Sequence, residues 1–514
     1  MSTPISTPLS TPIRYGDWSK DKQGWFLGLS GGASITVLAG GGPLLLAIGT
    51  RNWLLAGAWL PVWAVLAAAV CLPVRGRSAA RWVRDAMWRT VGIGLGWAHW
   101  QSRAAAGRMD DPARADLPGV LAPISIHDGP PFGVLLGRPA IVADSAVQTW
   151  AAVARISHPG IGMAELGSRA RMAAGLAELL EAAASAELVS VLAVQVRTVP
   201  DDGAERAAWQ RRHLRADAPA LALAVDAELG AAMVAAGVRH EVFVTVVVPE
   251  ARIARQAKEA GGGVDGRARV LFGVMSELEA RLLGSVGCST VSWLDSPALA
   301  AAIRTGFAPG DRAALTEAAL AASEDPTIAD ALPVAAAGPS TAPAAERRHY
   351  THDAWSTATC TVLLPDSGAI MGALAPVFTP TEASERRSVT VFYEPLSRHE
   401  ADKLVGRDSM SAGTAAEMRT RMGFATRAVH RRDILRVEAA DVRLAAGRAL
   451  VRVAVAAAVT VPSEASISEF GRRLESSIRG AGFTPLRLDL AQDSGFAAAC
   501  IPLGIGLPRR RDTR

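Results

Sequence analysis

Phosphate chemistry finds little support in this chain of 514 residues, because lysine is so scarce. The four lysines are Lys20, Lys22, Lys258 and Lys403, and none follows a glycine-rich loop. No G-x-x-x-x-G-K-[ST] segment occurs; without that lysine and the adjacent hydroxyl, a loop cannot hold terminal phosphates and magnesium. The glycine groups Gly261–Gly263 and Gly92, Gly94, Gly96 lack a strand-turn-helix setting and read as hinges or turns. His349 and His352 form the only close histidine pair, and two imidazoles without a third ligand make a poor metal site. Asp110-Asp111 and Asp201-Asp202 are acidic pairs in loop-like sequence, better suited to solvated turns than to proton transfer. Cys71, Cys288, Cys360 and Cys500 are far apart and form no CxxC, as expected of reduced, buried thiols rather than a zinc site or disulfide framework. No H-E-x-x-H is present, and the G-x-S-x-G spacing at Gly28–Gly32 falls in an uncharged run rather than at a strand-to-helix elbow. The expectation is a chain that is not an enzyme, with no catalytic, cofactor-binding or metal-binding residues and no cofactor.

The elements around these residues point to a membrane. Half of all residues are hydrophobic and the net charge is only +5. The bases are dispersed arginines, which argues against direct, sequence-specific nucleic-acid binding. Residues Trp25 to Thr50 and Trp53 to Val74 carry no charge. Each run passes the roughly 18–20 residues that a helix needs to cross a hydrocarbon core. Gly31, Gly32, Gly40, Gly41 and Gly42 would let the two spans approach closely as a hairpin. Arg14, Lys20 and Lys22 precede the pair, Arg75, Arg77, Arg81, Arg84 and Arg89 follow it, and the turn holds only Arg51. Positive-inside reasoning places both chain ends in the cytoplasm of a multi-pass, inner-membrane protein. Trp18, Trp25, Trp53 and Trp82 sit near the expected boundaries. The spacing of Arg77, Arg81 and Arg84 predicts a membrane-proximal helix with one basic face.

Beyond residue 115 the pattern is that of an α+β body. Strands are expected at 188–199, 242–248, 289–294, 356–364, 387–394, 449–461 and 484–489. Helices are expected at 162–185, at 203–236 with a break near Pro219, and at 266–284, 397–421 and 466–480. Ser397-x-x-Glu400 and Ser466-x-x-Glu469 read as capping boxes. Two segments share a pattern. Val246-Val247-Val248-Pro249 precedes a helix with Leu271, Val274, Leu278 and Leu282; Val459-Thr460-Val461-Pro462 precedes one with Ile467, Phe470, Leu474 and Ile478. Each then feeds a short strand ending in Leu-Asp, at Leu294-Asp295 and Leu488-Asp489. The fold expected is an N-terminal transmembrane helical hairpin followed by two related cytoplasmic α+β modules. The boundaries are 1–23 (cytoplasmic segment), 24–75 (hairpin), 76–114 (membrane-proximal helix), 115–323 (first module), 324–350 (Ala/Pro-rich linker), 351–508 (second module) and 509–514 (basic tail).

Several segments, taken in order, resemble one family. Tyr15-Gly16-x-Trp18 stands before the spans. An expected strand near Ser388–Tyr393 is followed by Arg421-Met422-Gly423-Phe424, Ser494-Gly495-Phe496 and Ile501-Pro502-Leu503-Gly504-Ile505-Gly506-Leu507. This resembles the actinobacterial membrane proteins of conjugative, type IV secretion-like elements, which look like a small membrane subunit joined to the N-terminal, non-ATPase region of the conjugation ATPase. Residues 131–160 look shortened against that pattern, and a Trp-containing stretch is reduced to Trp355. The resemblance implies no catalytic residues. It implies a structural or assembly component of the cell membrane, with a separate secretion or conjugation ATPase, other channel subunits and membrane lipid as partners, and it leaves oligomer formation open. A membrane component of a type VII secretion system is the alternative. A membrane-bound enzyme ranks third.

Overall fold

The computed structural model describes residues 14–16, 31–71, 73–74, 77–108, 111–133, 137–215, 217–325, 327, 331–382, 384–421 and 428–506. Two compact units result. One comprises residues 18–99; the other, here called the body, comprises 1–17 and 100–514.

The smaller unit has three helices, α1 (Gly31–Gly49), α2 (Trp53–Cys71) and α3 (Ala79–Gly94). A turn at Thr50-Arg51-Asn52 joins α1 and α2, with Arg51 at φ +55°. Gly40 and Gly41 of α1 face the Trp63 indole. Trp59 Nε1 donates to the Gly40 carbonyl at 2.9 Å and Trp63 Nε1 to the Val37 carbonyl at 3.0 Å. A side chain at Gly41 would press within 3.3 Å of the Trp63 ring. Backbone carbonyls thus satisfy both indole N–H groups, as a nonpolar medium demands. By length and composition α2 can cross a membrane, and it is almost wholly exposed within this unit. The described apolar stretch of α1, Ile35–Gly49, is shorter. Residues 25–30 of the expected first span, with Trp18 and Trp25, lie outside the described residues.

The body is built on one antiparallel sheet of eleven strands. In chain order they are β1 (Ile124–Asp128), β2 (Ala140–Asp144), β3 (Thr149–Ser157), β4 (Val191–Pro200), β5 (Val238–Pro249), β6 (Thr290–Trp293), β7 (Tyr350–His352), β8 (Trp355–Leu363), β9 (Arg386–Pro395), β10 (Val451–Pro462) and β11 (Thr484–Arg487). The order across the sheet is β7-β8-β10-β9-β4-β5-β3-β2-β1, with β6 also on β3 and β11 also on β8. The helices of the body are α4 (Leu166–Ala186), α5 (Ala204–His213), α6 (Ala220–Ala236), α7 (Glu250–Glu259), α8 (Gly263–Arg281), α9 (Ser296–Phe307), α10 (Arg312–Glu324), the short α11 (Ala375–Phe378), α12 (Arg398–Arg421), α13 (Ala428–Ala445), α14 (Ile467–Gly480) and α15 (Gln492–Cys500).

Alternation along the strands sorts side chains to two covered faces. Val244, Val246 and Val248 of β5 pack with Leu179 of α4, Ile253 of α7 and Leu271 and Met275 of α8. Val455, Ala457, Val459 and Val461 of β10 pack with Phe470, Leu474 and Ile478 of α14 on the same side. The opposite face holds one cluster spanning both halves, in which Phe243, Val247, Phe392 and Ala456 meet Ile303 and Phe307 of α9 and Phe496 of α15. With both faces buried, strands such as β5 read as continuous apolar runs rather than alternating ones.

Three expected boundaries move. Residues 324–350 do not form a solvated tether over their described length: Val334, Ala337, Ala342 and Tyr350 are buried in the shared cluster. Alanine and proline suit a close-packed irregular segment as well as a linker. Residues 100–114 belong with the body, since Trp100–Gln101 pairs with Thr341–Ala342. The N-terminal segment is also partly built in, since Arg14–Tyr15 pairs with Ala369–Ile370. The membrane-proximal helix is α3 alone, and the side chains of Arg77 and Arg81 are outside the described ones. The Ser397–Glu400 box forms, with reciprocal hydrogen bonds of 3.3 Å to the two backbone N–H groups. The Ser466–Glu469 box does not: Ser466 makes no side-chain cap, and Glu469 turns to Arg473. The basic tail, Leu507 and Met422-Gly423-Phe424 lie outside the described residues.

Candidate functional site

The densest polar constellation sits where β4 passes into α5. Asp202 follows the end of β4, Glu205 lies in the first turn of α5, Glu241 is on β5, and Arg312 opens α10. Arg312 is buried and donates from Nη1 to both Asp202 oxygens at 2.6 Å, and from Nη2 to Glu205. Its Nε lies 3.7 Å from Glu241, and Arg239 donates to Glu205 from the other side at 2.5 Å. Burial alone would raise the Asp202 pKa, but hydrogen bonds and charge from Arg312 outweigh it and hold the carboxyl below its ordinary value. Asp201, Asp202 and Glu205 are, among the described residues, the one group of His, Cys, Asp or Glu spaced to hold a metal ion. Arg312 already supplies the counter-charge, so the constellation ties α5 and α10 to the sheet.

Replacing Arg312 by glutamine is expected to cost about 2–3 kcal/mol, below the usual cost of breaking a buried pair because Glu205 and Asp202 retain solvent contact. The deficit shrinks on acidification. Asp202 has a depressed folded pKa, so its contribution is present above the ordinary value of 3.8 and is lost as the pH falls through the folded one. Urea midpoints of both proteins at pH 7 and at about pH 2 check this.

A second feature is an open apolar cavity of about 370 Å³ between α4 and α8, floored by Leu192 and Val246 and walled by Leu179, Val274 and Leu278. Gly175 touches the turn at Leu282–Val286, where a Cβ would lie 2.0 Å from the Ser285 carbonyl oxygen. The cavity can accept an apolar group; its polar lining residues are Gln256, Arg269, Glu277 and Arg281, the last two paired at 3.1 Å.

The remaining candidates scatter. Of the close histidine pair, which read as a poor metal site, His352 is fully buried against Phe307, Tyr350 and Phe496 and His349 is half-buried. Cys288, Cys360 and Cys500 are buried, and burial pushes the Cys360 and Cys500 thiols up to about 12 and about 11. Such thiols stay protonated and poorly nucleophilic. Gly261–Gly263 all have positive φ and form the joint between α7 and α8. Asp111 caps a local turn by accepting from Ala113 N, and Asp110 lies outside the described residues. Sequence reading missed the Asp202–Arg312 constellation as a unit. Its members are 110 residues apart, and only a Pro-Gly-Asp-Arg start to α10 hinted that Arg312 had a special place. No protein-family model matches the chain, and no curated protein matches it.

Proposed function

We propose that the chain is a non-enzymatic assembly subunit of a type IV secretion-like conjugative DNA-transfer apparatus in the cell membrane, with a cytoplasmic body that docks a separate ATPase. One observation carries the membrane part of this reading. Residues Arg14–Tyr15 and Trp100–Gln101, which flank the smaller unit, each pair with strands of the same body. A body folded on one side of a bilayer requires an even number of crossings between those flanks. If α2 crosses, a second crossing must accompany it to keep both pairings, and the apolar α1 supports the reading that it supplies that crossing. The arginines after α2 favour the cytoplasm for that body.

Two related modules in the body suit a docking scaffold. Strands β3, β4 and β5 have nine, ten and twelve residues, and β8, β9 and β10 have nine, ten and twelve. Each set runs in the order second-third-first, with a short following strand on the first: β4-β5-β3-β6 and β9-β10-β8-β11. This is the split β-α-β arrangement. The sets meet at β4 and β9, where Gln195, fifth in its strand, pairs with Thr390, fifth in its own. That register puts a pseudo-two-fold axis through one residue pair. Both side chains reach the Ala499 carbonyl, at 2.9 Å and 3.1 Å. Duplication of an ancestral unit accounts for equal lengths, equal order and the centred register together. The function itself leans on the family resemblance of the sequence.

Affinity capture of the full chain from detergent-solubilised native membranes tests the reading. Co-purification of a conjugation ATPase or channel subunit is expected. Recovery of neither overturns it, and recovery of type VII components would favour that alternative. Reporters on the two termini should register the same compartment; opposite compartments would refute the hairpin.

A further inference from the structure

The helix that follows the membrane hairpin, α3, is two-faced. Val83, Met87, Val91 and Ile93 fall within one arc, while Arg84, Asp85 and Arg89 occupy the rest. The apolar arc is open: Val83 is 69% exposed, Met87 53% and Ile93 48%. Trp88 lies on the polar side, where its ring meets Trp97 with centroids 6.1 Å apart. Arg84 is held at 2.8 Å by its neighbour Asp85, so the polar side carries a fixed charge pattern of its own.

We infer that α3 lies flat on the bilayer surface, with Val83, Met87 and Val91 sunk among the lipid chains and Arg84 and Asp85 toward water. This deepens the membrane reading above and rests on it. Three observations favour lipid over another occupant. Only seven residues separate the end of α2 at Cys71 from Ala79, a tether of at most about 25 Å, so α3 cannot leave the bilayer's vicinity. That tether is shortened further by a hairpin pairing Pro73–Val74 with Arg77–Ser78, and α3 touches α2. Residues 75–89 hold five arginines against one acid, Asp85, a balance that suits headgroup phosphates.

The test uses the full chain with Cys71→Ala, reconstituted in bilayers of phosphatidylethanolamine and phosphatidylglycerol. Single spin labels are placed through Met87→Cys, Asp85→Cys and, as a reference in α2, Leu60→Cys. Accessibility to oxygen, which partitions into lipid, is compared with accessibility to a water-soluble nickel chelate. The oxygen-to-nickel ratio is expected to be several-fold higher at position 87 than at 85, and high at 60. A high ratio at 60 with equal, water-like ratios at 85 and 87 overturns the placement of α3 and leaves the hairpin standing. A water-like ratio at 60 removes the hairpin itself, and with it the basis for this inference. Exclusion of both reagents at 87 means that protein covers the face, which also overturns the placement.

Discussion

Truncating Glu385 to alanine is expected to destabilise the body by about 3–5 kcal/mol, the range for stripping one partner from a fully buried ion pair. Glu385 and Arg387 are both at 0% exposure, and Arg387 Nε donates to the carboxylate at 2.5 Å. The second carboxylate oxygen accepts from Thr381 N at 2.6 Å and Thr381 Oγ1 at 2.8 Å. The guanidinium has little else: its Nη1 contacts to Val377 O and Ser477 Oγ are long, at 3.4 Å each, and Nη2 has no hydrogen-bond partner. Removing Glu385 therefore leaves a cation in an apolar pocket with no counter-charge, and the protein must either open locally or bring in water. The double variant Glu385→Leu, Arg387→Met removes both charges together and should recover most of the loss, because it leaves no orphaned charge. Denaturant unfolding of both variants and the parent decides it. If the double variant is as unstable as Glu385→Ala, the pair is not the source of the loss.

Acidification from pH 6.5 to pH 5 should cost the wild-type protein about 1.6 kcal/mol more than it costs His352→Phe, because the limiting slope of about 1.4 kcal/mol per pH unit is reached only below the unfolded pKa. The imidazole is fully buried, and its Nε2 lies 2.9 Å from Thr357 Oγ1. Burial pushes its pKa down to about 3; a backbone contact with Phe307 opposes this and the Arg304 charge adds to it. The folded value is below the ordinary 6.5, so between 6.5 and about 3 only the unfolded chain takes up the proton. Stability attributable to His352 is intact above 6.5 and declines as the pH falls through that window. Phenylalanine joins Phe307, Tyr350 and Phe496 without a titrating group, so the difference between the two pH slopes isolates His352. Parallel slopes would mean that the native imidazole takes up a proton as readily as the unfolded one.

The legibility of this protein in its sequence follows how local each determinant is. Strand β5 was readable because Val242 to Val248 is almost all β-branched or aromatic, and α14 because its apolar stripe repeats with helical spacing. The Val-x-Val-Pro segments marked two strand ends, since Pro249 and Pro462 each close a strand of twelve residues. Strands β1 to β3 escaped notice. Their alanines, as in Ala151, Ala152 and Ala154, carry no strand preference of their own and are strands because the sheet pairs them. Helices α9 and α15 escaped for a related reason. Both are short and rich in alanine, with burial on nearly every side, so no polar face marks their period.

Taken alone, the sequence determined the charge-free runs, the arginine asymmetry around them, the absence of a phosphate loop, and most of the helices and strands with strong local patterns. Tertiary structure decided that the two α+β stretches share one sheet through β4 and β9, that Val334, Ala337, Ala342 and Tyr350 join its core, and that Arg14 and Trp100 rejoin the same body. It also decided which polar residues are costly to disturb, bringing Arg312 to Asp202 and sealing His352 among aromatic rings. The division has a physical cause. Hydrophobic length and periodicity act between near neighbours in the chain, whereas register, burial and ion pairing depend on groups that only folding brings together.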